Sequence, residues 1–563
     1  MQSPFPDPPT SLPEILERAA VHFPERGVAI FDGRGKSCER RTYPEMLAAV
    51  GAAAGRWTAL GVEPGDRVVV CLPTSWEWVE AWLGAVACGA LPVAIARGAP
   101  LGAAEAHIRK VEAVVDHLAP RRMVASAAFR QDLERFDAHR AAATTITPEE
   151  LAAIAPKTVT APKPDPEDTA FLQLTSGSTG RVRAVQIPHR AAIHNVGGMD
   201  RGVGSAEDGP THAWAESMVS WLPLHHDMGL LGCFFLPIFA GHDLWMFQPT
   251  TFLARPLAWL RHLGRHGTSF SPAPNFGYQL CVERIAAEKR AGLDLSPWRI
   301  ALTGAEMVRP ETVAAFCEAF APQGFRPQTF QPCYGLAEGT LAITIDQRVE
   351  GVRTRPLPDA AAAEGAAMSL SEVVCVGAPL DGLEVRITGP GGELPEGEIG
   401  EVCARGPSIF SGYYCDVEAT AEALKDGWLH TGDLGFVDDG ELYITGRLKD
   451  LLIVRGNNVM PHEIEWLAES VTGGGGALRS GAFSVARGAQ GEEVVVVVEV
   501  DHRERDRLGD VGREIRQKIG RNLSLPIADL VFVRRGKIPK TTSGKVQRRE
   551  LRDRFLRGEL PRL

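Results

Sequence analysis

The chain has 563 residues, 44% of them hydrophobic and 23% charged. That is too long for one hydrophobic core, so at least two domains are expected. The net charge of −10 disfavours nucleic acid or an anionic membrane as the main partner, because both reward a basic face. The cysteines stand singly, with no Cys-x-x-Cys pair. This favours neither a zinc site nor a disulfide framework, and points to buried, reduced thiols in a cytoplasmic protein. The stretch Met1 to Pro9 lacks the basic start and apolar centre of a secretion signal. The longest apolar run, Gly229 to Gly241, is too short to span a bilayer and contains Pro237. No stable membrane insertion is expected.

In chain order, Arg67 to Leu72 is short, apolar and rich in β-branched residues, which predicts a strand. Ser75 is placed to cap a helix over Trp76 to Cys88, and Leu91 to Ile95 predicts the next strand. Repeated strand–helix units imply a largely parallel, helix-covered sheet. A breaker-rich linker, Pro162 to Pro166, precedes the apolar Phe171 to Leu174. A Gly/Ser/Thr loop, Thr175 to Gly180, follows at the end of that predicted strand, where open α/β sheets bind ligands. Beyond Gly446 the pattern changes. Glu492 to Val500 contains an unbroken valine run and predicts a buried strand. Val511, Ile515, Ile519 and Leu523 recur every fourth residue and mark one helix face. Leu530 to Val533 predicts a further strand. The fold class expected is α/β: a large domain of helix-covered sheets over 1–446, a connection at 447–450, and a small α+β domain over 451–563. Asp359 to Ala367 and Gly473 to Gly476 are expected to be surface loops.

Five segments carry chemistry. Thr175, Ser176, Gly177, Ser178, Thr179 and Gly180 alternate hydroxyls with glycines, a composition suited to phosphate oxygens. No Gly-Lys-Ser/Thr follows, so this is not a Walker loop, and a polar linker is the competing reading. Glu338, after Tyr334 and Gly335, could hold a hard cation through oxygen or could be a solvated surface residue. Asp433 in Thr431-Gly432-Asp433 could accept from a diol or serve a turn. Arg447 offers a planar fork, and Lys545, in Thr541 to Gln547, a charge for a phosphoryl centre. A surface salt bridge would explain Arg447 alone, and a basic surface shared with Arg548 and Arg549 would explain Lys545. His225-His226-Asp227 invites a metal reading, but lining an apolar cavity with Trp221, Met228 and Phe234 fits neighbouring histidines better.

In this order the segments resemble the adenylate-forming superfamily of acyl-CoA synthetases, peptide-synthetase adenylation domains and luciferases, over about residues 10 to 560. They are most similar to its fatty acyl-AMP ligase branch. The resemblance is carried by Leu172 to Gly180, Ser220 to Leu230, Pro274 to Tyr278, Gly304-Ala305-Glu306 and Leu451 to Asn458. It implies attack of a carboxylate, with a fatty acid as the default, on the α-phosphate of ATP with Mg²⁺. Transfer of the acyl group to the phosphopantetheine thiol of an acyl carrier protein would follow. By carry-over, Thr175 to Gly180 hold the pyrophosphate portion, with Thr175 also catalytic, and Glu338 holds Mg²⁺. Gly304, Ala305 and Glu306 contact adenine, beside Tyr334 and Gly335. Asp433 and Arg447 hold ribose, and Lys545 bridges carboxylate and α-phosphate. Trp221, His226, Met228, Phe234 and Phe276 line the acyl pocket, and Lys449 is the hinge of a mobile small domain.

The chain departs from that pattern in three places. Arg181-Val182-Arg183-Ala184 stands where the family has x-Pro-Lys-Gly, Ala337 replaces Thr before Glu338, and Asp346 to Leu370 stands where acyl-AMP ligases carry an insertion. Free CoA as the acceptor, and a non-catalytic nucleotide- or acyl-binding module, are the competing readings. Packing of Asp346 to Leu370 against the small domain would favour a carrier protein over CoA. Acyl chain length and oligomeric state leave no mark in the sequence.

Overall fold

The computed structural model describes residues 3–33, 35–97, 104–159, 163–176, 182–204, 209–213, 215–348, 350–357, 372–454, 457–472, 479–486, 492–523, 525–540 and 545–563. Two helix-covered sheets form the body of the large domain. One has seven strands, and in it Thr169–Ser176, Leu91–Ala94, Arg67–Cys71, Arg122–Ala125 and Thr145–Ile146 run parallel in that spatial order. At its other end Val182–Pro188 returns antiparallel beside Thr169–Ser176, so the Thr175 loop joins a hairpin. The strand and helix predictions hold here. Ser75 accepts from the Trp78 N–H and caps Trp76–Ala87.

The second sheet orders Cys38–Thr42, Gly27–Phe31, Asp243–Met246 and Ser217–Ser220, parallel except for its first pair. A third, six-stranded antiparallel sheet was not anticipated. Its central strands Gly400–Arg405, Trp428–Asp438 and Glu441–Arg447 interleave glycines and polar residues with apolar ones, so they lack the continuous apolar runs by which buried strands announce themselves.

One apolar cluster runs from Phe5 to Leu442. The small domain has two clusters of its own, one on each face of a three-stranded sheet of Ser480–Ala486, Glu492–Val500 and Ile527–Arg534. The valine run explains this arrangement. Val494, Val496 and Val498 pack with Ile515 and Ile519 of the helix Leu508–Leu523, while Val495 and Val497 pack with Leu551 of Arg548–Leu556. Side chains alternate across a strand, so a valine run fills two cores at once.

The run Gly229 to Gly241 is buried as an eight-residue π-helix, Met228–Phe235, continued by the α-helix Leu236–Ala240. Among the described residues no helix is long and apolar enough to cross a membrane. All ten cysteines are free thiols; Cys38 and Cys415 are exposed, where burial was expected. The segment 346–357 ion-pairs within the large domain, Arg353 with Asp346 (2.8 Å) and Glu441 (2.5 Å) and Arg355 with Asp438 (2.8 Å). Residues 358–370, like Gly473 to Gly476, lie outside the described residues.

Candidate active site

Thr175 is the penultimate residue of the strand Thr169–Ser176 and pairs with Arg183. Gly177, Ser178, Thr179 and Gly180 lie outside the described residues, as does the side chain of Ser176. On the described flank, Arg183 Nε lies 3.8 Å from Asp416 with its guanidinium 5.1 Å from the Tyr413 ring.

The fourth sheet sets Phe330–Gly335 parallel to Ala301–Thr303, so the segments that follow both strands emerge at the same sheet end. Gly304-Ala305-Glu306 follows one. A Cβ on Gly304 would come within 2.7 Å of the Cys333 carbonyl oxygen, so only glycine fits there. Ala305 has φ +65°, a costly conformation for a residue with a side chain and one that clusters at functional sites. Glu306 accepts from the Phe276 N–H (2.7 Å), which ties this segment to the acyl-pocket candidates.

After the other strand, Glu338 lies in the short 3₁₀ turn Ala337–Gly339. Tyr413 donates to its Oε1 (2.7 Å), yet burial still raises the Glu338 carboxyl above the usual range. A half-buried carboxylate with one oxygen fixed and its charge incompletely compensated is suited to a hard cation.

Asp433 and Arg447 face one another across the strand pair Trp428–Asp438 and Glu441–Arg447. Arg447 Nε donates to Asp433 Oδ1 and Tyr334 Oη donates to Oδ2, both at 2.7 Å. The Asp433 carboxylate is 7% exposed, and the Arg447 side chain 57%. Asp433 raises the Arg447 pKa, and burial, followed by Asp433, raises that of Tyr334. A carboxylate has about four lone-pair positions, so Asp433 retains acceptors after both bonds.

Lys545 comes from the small domain. The residue is exposed, yet desolvation by the surrounding protein, followed by Arg447, lowers its pKa. Asp227, Glu306 and Asp433 pull the other way. One ammonium thus senses four charged residues of the large domain. Burial alone would raise the Asp227 carboxyl, but His226, the Met228 N–H and Lys545 outweigh it and hold it low. The His226–Asp227 pair is at 2.6 Å. Burial pushes His225 down to about 3, so it is neutral near pH 7.

The pocket candidates divide. Trp221 stacks on Phe252 (3.8 Å, 9°) and meets Phe276 edge-on (5.7 Å). A Cβ on Gly277 would lie 2.9 Å from the Trp221 ring. Met228 follows His226-Asp227 at the start of the π-helix. Phe234 is fully buried, and among described aromatic rings its partner is Phe235. Lys449 is central in the 3₁₀ turn Leu448–Asp450, which directly follows the strand Glu441–Arg447.

Comparisons with known proteins bear on this geometry. Residues 16–414 match the AMP-binding enzyme family. The chain belongs to the AMP-binding enzymes.

Among relatives, a provisionally assigned acyl-CoA synthetase of Caulobacter vibrioides is 34% identical, over 98% of this chain and 96% of that protein. The medium-chain-fatty-acid–[acyl-carrier-protein] ligase JamA of Moorena producens is 35% identical over 71% of this chain and 70% of its own. A solved structure from work on fatty acyl-adenylate ligases of E. coli and L. pneumophila superposes with a TM-score of 0.87 at 30% identity, covering 99% of both chains. The protein is therefore an AMP-forming ligase that adenylates an acyl substrate.

This AMP-binding enzyme contains polar partners that sequence reasoning missed. Tyr413 braces Glu338. Glu401 accepts from the Gly432 N–H (3.1 Å) and pairs with His430 Nδ1 (2.8 Å), fixing the turn before Asp433. Gly432 has φ +71°, in the left-handed region glycine tolerates best. The neighbouring motif Thr431-Gly432-Asp433 hinted at such a turn, but no local signal named Glu401.

Proposed function

We propose that this ligase activates a fatty acid as its acyl-adenylate and passes the acyl group to the phosphopantetheine thiol of an acyl carrier protein. The observation that carries the reading is Lys545. The charges of Arg447, Asp227, Glu306 and Asp433 all act on the ammonium of this small-domain lysine, which suits a group that meets negative charge developing at an α-phosphate.

Asp433 and Arg447 would receive the ribose, and Thr175 with the loop to Gly180 the pyrophosphate portion. Gly304 to Glu306, with Tyr334 and Gly335, would border adenine. Glu338 would hold Mg²⁺, which supplies charge neutralisation at phosphate oxygens. Trp221, His226, Met228, Phe234 and Phe276 would bound an apolar acid, as ligand pockets are mostly hydrophobic with few polar anchors. An acid oxygen bonds to the α-phosphorus as the bond to pyrophosphate breaks. The thiol sulfur then bonds to the acyl carbon, AMP leaves, and the thiol proton passes to solvent. We assign residues 1–446 to the large domain and 451–563 to a lid turning about 447–450 at Lys449. A lid has a purpose here, because the mixed anhydride hydrolyses in water. The free thiols and the need for ATP fit a cytoplasmic location.

The fatty-acid and carrier choices are supported by the Moorena producens and fatty acyl-adenylate ligase relatives. The Caulobacter vibrioides relative favours CoA as acceptor instead. The described part of the Asp346 segment pairs within the large domain and does not supply the small-domain contact that would oppose CoA. Mass spectrometry of products from purified enzyme, Mg·ATP and a panel of acids, with CoA or with phosphopantetheinylated carrier, tests the proposal. Acyl-carrier without acyl-CoA is expected. Efficient acyl-CoA formation would overturn the choice of acceptor.

A further inference from the structure

Away from the active site, a cleft of about 570 Å³ is lined by six cationic side chains, Lys36, Arg255, Arg261, Arg265, Arg284 and Lys289. All six are exposed. They come from three distant parts of the chain: the turn near Gly35, the helix Leu257–Arg265 with its preceding turn, and the end of Asn275–Arg284 with the 3₁₀ turn Ala287–Arg290. The protein as a whole carries a net charge of −10, so this convergence runs against its composition.

Folding does not account for the cluster. The helix Leu257–Arg265 buries Trp259, Leu260 and Leu263 and leaves Arg261 and Arg265 outside. Those two arginines are one turn apart, a like-charge spacing that costs helix stability. Among the described residues no acid lines the cleft. Beside it, Asp32 accepts from the Lys36 N–H (2.9 Å), Glu283 accepts from Gln279 (3.0 Å) and feels the charges of Arg479, Arg535 and Arg284, and Glu288 is exposed on the 3₁₀ turn. The helix that carries Arg284 begins at the seam between domains: Asn275 accepts from the Arg309 N–H (3.0 Å), and Arg309 pairs with Glu469 of the small domain (2.8 Å). On the inner face of Leu257–Arg265, Trp259 meets Trp221, an acyl-pocket candidate (6.1 Å).

We propose that this basic cleft is the docking surface for the carrier protein, and that it takes a carboxylate-rich face of that partner. The inference rests on the carrier-protein reading above. An acidic partner is repelled by most of this enzyme and attracted at one cationic patch beside the seam. Such a pattern orients the encounter and raises the association rate.

The test uses full-length Arg261→Glu/Arg265→Glu and the charge-preserving Arg261→Lys/Arg265→Lys. Three reactions are measured: pyrophosphate release with acid and ATP, acyl transfer to pantetheine, and acyl transfer to a phosphopantetheinylated acyl carrier protein of net negative charge. The Glu variant is expected to retain the first two, which also reports an intact fold, and to raise the carrier KM at least tenfold with kcat unchanged. The wild-type carrier KM should rise with salt, and the Lys variant should track wild type. An unchanged carrier KM in the Glu variant, with wild type loading the carrier, overturns the docking surface and leaves the carrier reading standing. Failure of wild type to load the carrier overturns both.

Discussion

Asp433 is where the polar contacts of the site meet. Its two oxygens take Tyr334 and Arg447, its N–H donates to Thr431 Oγ1 (3.1 Å), and Glu401 clamps the preceding turn. Removing a partner from a buried, charged acceptor costs about 1.5–3 kcal/mol, more than losing a neutral hydrogen bond. Tyr334→Phe should therefore weaken ATP binding about tenfold or more while kcat at saturating ATP stays within about threefold. Equilibrium nucleotide binding together with steady-state kinetics checks this; unchanged affinity would mean that the Tyr334 bond does not position Asp433. At this scale the sequence is legible where a motif is contiguous. Thr431-Gly432-Asp433 and Lys545 can be picked out by eye. Tyr413 and Glu401 cannot, because each acts on a residue far away in the chain, through a contact that exists only after folding.

Elements hold the two domains in the observed orientation. Arg309, the N-cap of Pro310–Phe320, pairs with Glu469 of the small-domain helix Pro461–Val471 (2.8 Å), and its guanidinium lies 4.6 Å from the Trp466 ring. Its backbone N–H donates to Asn275 at the start of the helix Asn275–Arg284, which bears the pocket candidate Phe276 (3.0 Å). The Glu469 side chain is only 5% exposed and Arg309 18%. Stranding such a carboxylate costs about 3 kcal/mol. We expect Arg309→Ala to slow adenylate formation at least about tenfold, while transfer from added acyl-adenylate to the acceptor keeps its rate. Rapid-quench measurement of the two half-reactions decides; equal loss in both would mean that the pair is general scaffolding. Element type followed from periodicity for the valine strand and for the helix bearing Val511 to Leu523. The π-helix at Met228–Phe235 did not, because an element apolar on every side carries no period to read.

For the whole molecule, the proposed closure is the central feature. The large domain presents Asp433, Arg447, Glu306 and Asp227, whose charges act on Lys545 of the small domain, and the Arg309–Glu469 pair ties the two domains together. The two-domain fold was legible because the hydrophobic pattern changes after Gly446. The relative orientation was not, because it depends on ion pairs and ring contacts between residues that no local pattern links. The most direct test is single-turnover adenylate formation by Lys545→Ala, with ATP affinity measured on the same protein. A lysine that acts mainly on charge developing at the α-phosphate predicts a rate lower by about 10²–10³, with the ATP dissociation constant within about threefold of wild type. Adenylate formed at the wild-type rate would contradict the account, because the residue brought across the interface would then have no part in the step that closure is proposed to serve.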